Sequence, residues 1–319
     1  MTLINRTLKG AASFTATLLL TVQAWCQANP ALAYSEDGIL YLMSRTGEAT
    51  RRIQASQSIH DFALSPDAKS VAFNSAKWGD YGGPLYLLTV ASGSVIRLTP
   101  PPAHKSEVYG DPEFSPDGTQ LAIAVHAQAH GDIVEGSGPV AIISLATRQM
   151  SVVRATADMG GGWPAFSNQP HWSPDATRLL VNFEVFPAVV PVHAGKLRLL
   201  DSLMGGGGAV WAEALAWLGS RCVVYADGKD PNQTDRNPAR VLNLVTGATK
   251  PASKVLGVPD ADVTDIIAFS SDLWVRRDRS KLVVESGHAL WKLPVQNSGR
   301  VIVRMVPDGH PGNVPEACR

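Results

Sequence analysis

The sequence predicts an all-β protein, a six-bladed β-propeller, and three observations support this prediction. A short phrase recurs between apolar runs, as Ser65-Pro66-Asp67-Ala68, Ser115-Pro116-Asp117-Gly118 and Ser173-Pro174-Asp175-Ala176. The 319-residue chain contains 28 Gly and 22 Pro, as turn-rich β architecture requires. No stretch shows sustained helical periodicity, and loops rich in Gly, Pro, Asn and Asp separate the short apolar runs.

The repeated phrase has the residues of a tight hairpin turn. Pro presets φ at the second position of a type I turn, and Asp bonds back to the chain. Gly118 accepts whatever dihedral remains, so we expect it in a tight turn. An aromatic side chain precedes the turn in the third, fourth and fifth units, and we expect these rings to be buried between blades: Phe114, Trp172 and Trp217.

Spacing of the turns divides the chain into units of four short strands. The first unit is partial, and the next four begin near His60, Tyr109, Asn168 and Trp211. A unit with two apolar faces must stack against neighbours, which predicts radial repetition in a propeller. The first unit lacks its innermost strand, and the C-terminal Val301 to Val306 is expected to supply it and close the ring.

The sixth unit has two alternative registers. Asp265 to Phe269 is one candidate for its first strand. The other is Asp272 to Val275, followed by a degraded turn at Arg276 to Arg279. We prefer the second, because it gives the same short turn as the other units.

The N-terminal residues 1–28 are predicted to be a signal peptide, followed by a single propeller domain over residues 29–319. Arg6 and Lys9 form a basic segment before an uncharged apolar run from Ala11 to Trp25. Cleavage is predicted after one of three alanines, of which the second is preferred: Ala24, Ala28 or Ala33. The mature chain is therefore expected in the periplasm or secreted, with no membrane span.

Two cysteines remain after this cleavage, because Cys26 is removed with the signal. Cys222 and Cys318 either form a disulfide that ties the C-terminal tail to the body or stay as two separate thiols. The formal charge is zero, with 28 basic and 28 acidic residues, and no basic stripe occurs, which excludes nucleic-acid binding. We expect a monomer.

The Ser-Pro-Asp-Gly hairpins, with their preceding aromatics and the small apolar strands that follow, resemble the WD-repeat-like repeats of TolB-type propellers. The resemblance covers most of Leu32 to Val306. It implies the propeller fold and an exported location. TolB has an α/β domain before its propeller, for which this chain has no room.

First strands of propeller blades begin at the mouth of the central channel. Polar residues occupy the same position, four before the turn serine or its stand-in, in four units: Asp61, Asp111, Gln169 and Asp272. Such a ring is predicted to bind a divalent cation or a basic group. The alternative is that these side chains cap strand starts in water.

Histidines and aromatics lie near the same mouth. His60, His130 and His171 are candidate metal ligands, with structural imidazoles as the alternative. Aromatic residues in the loops are candidate walls for a sugar or peptide: Trp78, Tyr81, Trp163 and Trp211.

Catalytic signatures such as Gly-x-Ser-x-Gly and His-Glu-x-x-His are absent from the sequence. The sequence therefore favours a non-catalytic exported propeller that binds an envelope protein or a carbohydrate through its top face and channel mouth. One alternative is a metal-assisted polysaccharide lyase or hydrolase that uses the mouth. The other is a scaffold subunit of an envelope complex.

Overall fold

The computed structural model describes residues 30–75, 83–99, 107–129, 132–133, 139–153, 155–156, 170–183, 186–193, 195–200, 211–228, 239–256, 266–270, 273–278, 281–286, 289–293, 302–305 and 314–319. The predicted signal peptide, residues 1–28, lies outside these ranges. No helix within them is long and apolar enough to cross a membrane.

Short strands make up nearly all of the regular structure. The first thirteen are β1 (Leu32–Glu36), β2 (Ile39–Met43), β3 (Ala49–Ile53), β4 (Phe62–Leu64), β5 (Ser70–Asn74), β6 (Leu85–Thr89), β7 (Val95–Arg97), β8 (Glu107–Phe114), β9 (Gln120–Ala129), β10 (Asp132–Ile133), β11 (Val140–Ser144), β12 (Met150–Val152) and β13 (Ala155–Thr156). The rest are β14 (His171–Trp172), β15 (Arg178–Phe183), β16 (Phe186–Pro191), β17 (Gly195–Lys196), β18 (Arg198–Leu199), β19 (Trp211–Leu218), β20 (Cys222–Gly228), β21 (Ala239–Asn243), β22 (Thr249–Pro251), β23 (Ile266–Ser270), β24 (Leu273–Asp278), β25 (Lys281–Ser286), β26 (Ala289–Lys292) and β27 (Ile302–Met305). A five-residue helix, α1 (Ala252–Leu256), and a 3-10 helix, Glu316–Cys318, complete the described elements.

These strands form successive antiparallel sheets, which we number in chain order. Sheets 1, 2, 4, 5 and 6 have four strands each, in the orders β27-β1-β2-β3, β4-β5-β6-β7, β14-β15-β16-β18, β19-β20-β21-β22 and β23-β24-β25-β26. Sheet 3 has five strands, β8 to β12, and β13 and β17 form a separate parallel pair. The all-β propeller prediction is confirmed. Among the described residues, however, regular four-stranded blades number five and not the predicted six, since the ten-residue β9 also pairs with β10.

Neighbouring sheets pack face to face through alternate residues of their strands. In β5, Val71 and Phe73 contact sheet 1, whereas Ala72 contacts sheet 3. In β9, Ala122 packs towards sheet 4 together with Trp172. Because successive side chains of a strand point to opposite faces, sheets 1 to 5 each contribute to two of the apolar clusters among the described residues. This is the stacking that a radial repeat requires.

The C-terminal strand closes the ring on the first sheet, as the sequence predicts. β27 pairs antiparallel with β1, so that Leu32 lies opposite Met305 and Ser35 opposite Ile302. Val303 is buried in a cluster shared with Leu282 of sheet 6. Sheet 1 is thus built from both ends of the described chain.

The turn phrase folds as predicted. In all three copies the Ser hydroxyl donates to the Asp carboxylate at 2.6–2.7 Å, and that carboxylate accepts the backbone N–H two residues later. The last residue of each phrase has a left-handed backbone: Ala68 (φ 55°), Gly118 (φ 70°) and Ala176 (φ 56°). Phe114 and Trp172 are buried as predicted.

Two sequence predictions need correction. Trp217 is only half-buried: it packs against the apolar cluster that sheets 4 and 5 share, and the Arg178 guanidinium lies over its ring, 4.8 Å from the centroid. The preferred register of the sixth unit is wrong: β23 (Ile266–Ser270) is its first strand. Arg276, expected in a turn, lies within β24, where it pairs with Ile266. Both registers offer an apolar run followed by a second run, so alternation alone did not separate them.

The disulfide alternative for Cys222 and Cys318 is the correct one. The bond joins residues 96 apart in sequence and holds the C-terminal tail against sheet 5. Asn243 Nδ2 also donates to the Ala317 carbonyl at 2.8 Å. Gly219 (φ 66°) leaves room for this tail, since a Cβ there would collide with the Cys318 carbonyl. The tail therefore reinforces sheet 5 after β27 has closed sheet 1.

Candidate functional site

The first strands of sheets 1, 2 and 3 bring three charged side chains together. Arg304 lies on β27, Asp61 immediately precedes β4, and Asp111 lies on β8. Arg304 Nη2 donates to Asp61 Oδ1 at 2.7 Å, and the Asp61 and Asp111 carboxyl groups are within hydrogen-bonding reach. First strands of propeller blades border the central channel, so this cluster marks one side of its wall. We call Asp61, Asp111 and Arg304 the inner charged cluster.

Asp61 is the most buried member, with its side chain 7% exposed. Its Oδ1 accepts the Phe62 N–H at 2.8 Å as well as the Arg304 bond, and so caps the start of β4. Its Oδ2 is buried without a hydrogen-bond partner among the described residues. Burial raises the pKa of Asp61 to about 7, with Arg304 opposing the rise and the Asp111 carboxylate adding to it. The pair therefore shares a proton near neutral pH.

Asp111 is aimed by an irregular backbone. Its φ is 48°, in the left-handed region that costs a non-glycine residue conformational energy. The β8–β9 register shifts between Gly110 and Glu113, which indicates a bulge at this point. The bulge lets β8 present Asp111 towards sheet 2 and Glu113 towards sheet 4.

Glu113 joins sheet 3 to sheet 4 through both carboxylate oxygens. Oε1 accepts the Trp172 backbone N–H at 2.9 Å, and Oε2 lies 2.9 Å from His171 Nδ1. The Trp172 indole N–H donates to the Glu113 carbonyl at 3.0 Å, and the Trp217 indole repeats this contact on the His171 carbonyl at 2.9 Å. We call Glu113 and His171 the Glu–His pair.

The two groups of residues place three carboxyl groups along the first strands of sheets 1 to 4. Asp61 and Asp111 lie with Arg304, and Glu113 lies against His171. Such an arrangement attracts a cation or a basic group.

The structure brings together two of the four predicted ring residues, Asp61 and Asp111. Gln169 and Asp272 lie outside the described residues. The corrected register removes the basis for including Asp272, because in sequence it follows β23 and does not begin it. Trp78, Tyr81, Trp163 and His130 also lie outside the described ranges. Trp211 begins β19, and its side chain is not described.

Two of the predicted metal ligands can be located. His171 is bound to Glu113, and His60 lies between sheets 1 and 2, where its backbone bonds to Ser35 and Asn74. Both ring nitrogens of His60 are buried. Within the part of the chain that the structure describes, no three His, Cys, Asp or Glu residues form a group that could hold a metal ion.

Sequence reasoning missed Arg304 and Glu113. Arg304 is the single charged residue of the predicted closing strand Val301 to Val306, which was a signal that its side chain faces a polar region. Glu113 lies two residues after Asp111 on the same strand, and its spacing offered no separate signal.

The chain is similar to several solved structures, and the first two of the following support the fold. A protein assigned as TolB from Agrobacterium tumefaciens matches with a TM-score of 0.51 and 16% identity, over 70% of this chain and 76% of that chain. A puromycin-hydrolysing peptidase from Mycobacterium tuberculosis matches with a TM-score of 0.50 and 14% identity, over 85% of this chain and 47% of the peptidase. An oligogalacturonate lyase in complex with manganese matches with a TM-score of 0.44 and 12% identity, over 83% of this chain and 71% of the lyase.

No protein-family model matches the sequence, and no curated protein matches it either. At these identities the structural comparisons show a TolB-like β-propeller fold.

Proposed function

We propose that this chain is an exported, non-catalytic propeller that binds an envelope protein or a carbohydrate through the channel mouth at the inner charged cluster. The observation that carries the proposal is the close pairing of two carboxyl groups, because Asp61 is almost fully buried and Asp111 lies within hydrogen-bonding reach of it. Two carboxylates in one buried site repel each other unless a proton, an Arg or a ligand cation lies between them. Like-charge pairs of this kind occur preferentially at functional sites.

The proposed ring has six blades, with the five-stranded sheet 3 as the blade between sheets 2 and 4. Sheet 3 packs against both neighbours through separate apolar clusters, which supports this assignment. In such a ring Asp61 and Asp111 belong to consecutive blades and face one opening.

The proposed location is the periplasm or the exterior of the cell. Residues 1–28 have the pattern of a signal peptide, and the Cys222–Cys318 disulfide requires an oxidising compartment. Cleavage of the signal leaves the propeller as the mature protein.

The inner charged cluster favours a ligand group that carries positive charge. Arg304 compensates one carboxylate of the Asp61–Asp111 pair and leaves the other to a proton or to a ligand. A cationic group placed there would displace the shared proton and pair with the freed carboxylate.

The test is the double variant Asp61→Asn/Asp111→Asn. Binding is measured on a glycan array and on periplasmic proteins separated and identified individually, with wild type in parallel. We expect the variant to lose a binding partner that wild type retains, while its melting temperature holds or rises. Asp117→Asn/Asp175→Asn is the matched control, because it removes two acids from exposed turns. Unchanged binding with lowered stability would make the inner acids structural.

A further inference from the structure

The Glu–His pair forms a second polar site, on the other side of β8 from the inner charged cluster. We propose that Glu113 fixes His171 as the tautomer whose Nε2 accepts a hydrogen bond, and that this atom receives an N–H of a cationic ligand group, an ammonium or a guanidinium. The ligand class rests on the proposed binding function, whereas the tautomer does not.

Glu113 has little freedom to turn away from His171. The Trp172 backbone N–H holds Oε1 at 2.9 Å, which directs Oε2 to His171 Nδ1. The two indole N–H bonds fix the backbones of the pair, since they end on the Glu113 and His171 carbonyls. The positions of both side chains are therefore set by hydrogen bonds that cross from one sheet to the next.

The tautomer follows from the donors and acceptors at this contact. An ionised carboxylate only accepts hydrogen bonds, so the Nδ1 that faces Glu113 must carry the proton. In a neutral imidazole the other nitrogen then has a free lone pair. In metal sites, similarly, a hydrogen bond from one imidazole nitrogen to a carboxylate fixes the tautomer and orients the other nitrogen towards the metal.

Nε2 is accessible to a ligand within the described part of the structure. The His171 side chain is 18% exposed, and its Nε2 makes no hydrogen bond to a described residue. An oriented acceptor on a partly exposed imidazole of a first strand is suited to a donor that enters the channel.

The surrounding charges select a cationic donor over a neutral hydroxyl. The Glu113 carboxylate lies 2.9 Å from His171, whereas Arg304 is bound to Asp61. A hydroxyl donor would gain one hydrogen bond from His171. An ammonium or guanidinium would gain the same bond and the attraction of the Glu113 carboxylate.

The tautomer is tested by long-range 1H–15N NMR of histidine-labelled protein at pH 8, where an imidazole is ordinarily neutral. The signal of His171 is identified by its loss in His171→Gln. We expect Nδ1 protonated in wild type. Glu113→Gln keeps an acceptor for Trp172, but its carboxamide N–H now donates to Nδ1, so we expect the proton to move to Nε2. A wild-type protein with Nε2 protonated overturns the proposal.

The ligand class is tested with paired probes at fixed ionic strength. Arginine amide is compared with its neutral isostere citrulline amide, and glucosamine with N-acetylglucosamine, to represent protein and carbohydrate sources of the cation. We expect at least one cationic member to shift the His171 signal saturably and its neutral partner to leave it unchanged. The affinity should fall about tenfold in Glu113→Gln. Exposed His193 provides the control variant His193→Gln, in which binding is unchanged.

Two results overturn the cationic ligand: equal shifts from neutral and charged partners, or no saturable shift from either cation. Neither result bears on the binding test of Asp61→Asn/Asp111→Asn, which uses other residues and the natural partner. The failure of this inference is therefore distinguishable from the failure of the proposed function.

Discussion

The turn aspartates and Asp61 are the same residue type in opposite environments. Asp117 lies in an exposed turn, where its carboxylate accepts a Ser115 hydroxyl at 2.6 Å and a Thr119 N–H at 3.1 Å. Asp61 lies on the inner side of sheet 2, where Oδ1 has two donors and Oδ2 has none among the described residues. The number of hydrogen-bond donors, together with exposure to solvent, decides how stable each aspartate is in its ionised form.

The pKa values move in opposite directions for this reason. The hydrogen bond from Ser115 holds the pKa of Asp117 below its usual value. Burial raises the pKa of Asp61. The turn aspartates therefore stabilise the fold when they are ionised. Ionisation of Asp61 instead lowers the stability of the fold, which fits its proposed role in ligand binding.

The largest expected effect is at Trp172, which lies between the two regions. It precedes the third turn phrase and bonds to Glu113 through both its backbone and its indole N–H. Trp172→Ala should lower the free energy of unfolding by about 3–5 kcal/mol, because it removes a buried ring between sheets 3 and 4. Urea titration measures this. Trp217→Ala is the matched control with a smaller loss, since Trp217 is half-buried. A Trp172 variant that melts within a few degrees of wild type contradicts the packing.

The next effect is a pH dependence that Asp61 creates. Its pKa is about 7 in the folded protein, against an ordinary value of 3.8 in the unfolded chain, so between these values the folded protein keeps a proton that the unfolded chain has lost. Stability should therefore fall as pH rises from about 4 to about 7, by up to about 4 kcal/mol, and level off above.

Asp61→Asn should remove this fall, as seen in the difference between wild-type and variant unfolding free energies across pH 4–8. Asp117→Asn is the control. The lowered pKa of Asp117 gives stability that is present above pH 4 and lost at lower pH, so the difference between wild type and this variant should show no slope between pH 4 and 7. The variant itself should keep the fall that Asp61 causes. If Asp61→Asn retains the wild-type slope, another group is responsible.

Arg304 is expected to matter only while Asp61 is charged. Arg304→Met keeps the length of the side chain and removes its charge, which should cost about 2 kcal/mol at pH 8. At pH 5 Asp61 holds a proton in both proteins, so the cost should shrink. In an Asp61→Asn background it should nearly vanish at either pH, as a double-mutant cycle measures. An equal cost in both backgrounds would assign Arg304 a packing role instead.

The same contrast explains what could be predicted from the sequence. Turn residues interact over two to five positions, so the phrase itself specified the hairpins, and Gly118 behaves as predicted. Strand β27 was predictable because the first unit lacked a strand. The Arg304–Asp61 bond joins residues 243 apart, and only the closed ring brings them together.

Other misses have local causes. The sixth unit lacks the Ser-Pro-Asp phrase, so its register depended on two similar apolar runs. The Glu–His pair depends on a bulge in β8, which periodicity does not reveal. The repeated turns could therefore be predicted from the sequence. Contacts between sheets could be predicted only where they involve the same position in successive repeats.

The smallest expected effect tests the turn region alone. Ala68 and Ala176 have φ values of 55° and 56°, which cost an L-residue roughly 1–2 kcal/mol, whereas Gly118 at 70° has no such cost. Replacing either alanine with glycine relieves this strain. It also favours the unfolded chain by about 0.4–1 kcal/mol, because glycine has more conformational entropy there. The net gain for Ala68→Gly or Ala176→Gly should be about 0.5–1 kcal/mol, or roughly 1–3 °C in melting temperature. Gly118→Ala should lower the free energy of unfolding by a similar amount through backbone strain. It should add no steric clash, because the new Cβ would lie 3.5 Å from Pro66 Cδ, an ordinary van der Waals contact. Changes of the same sign in all three variants would mean that backbone strain does not decide the stability of these turns.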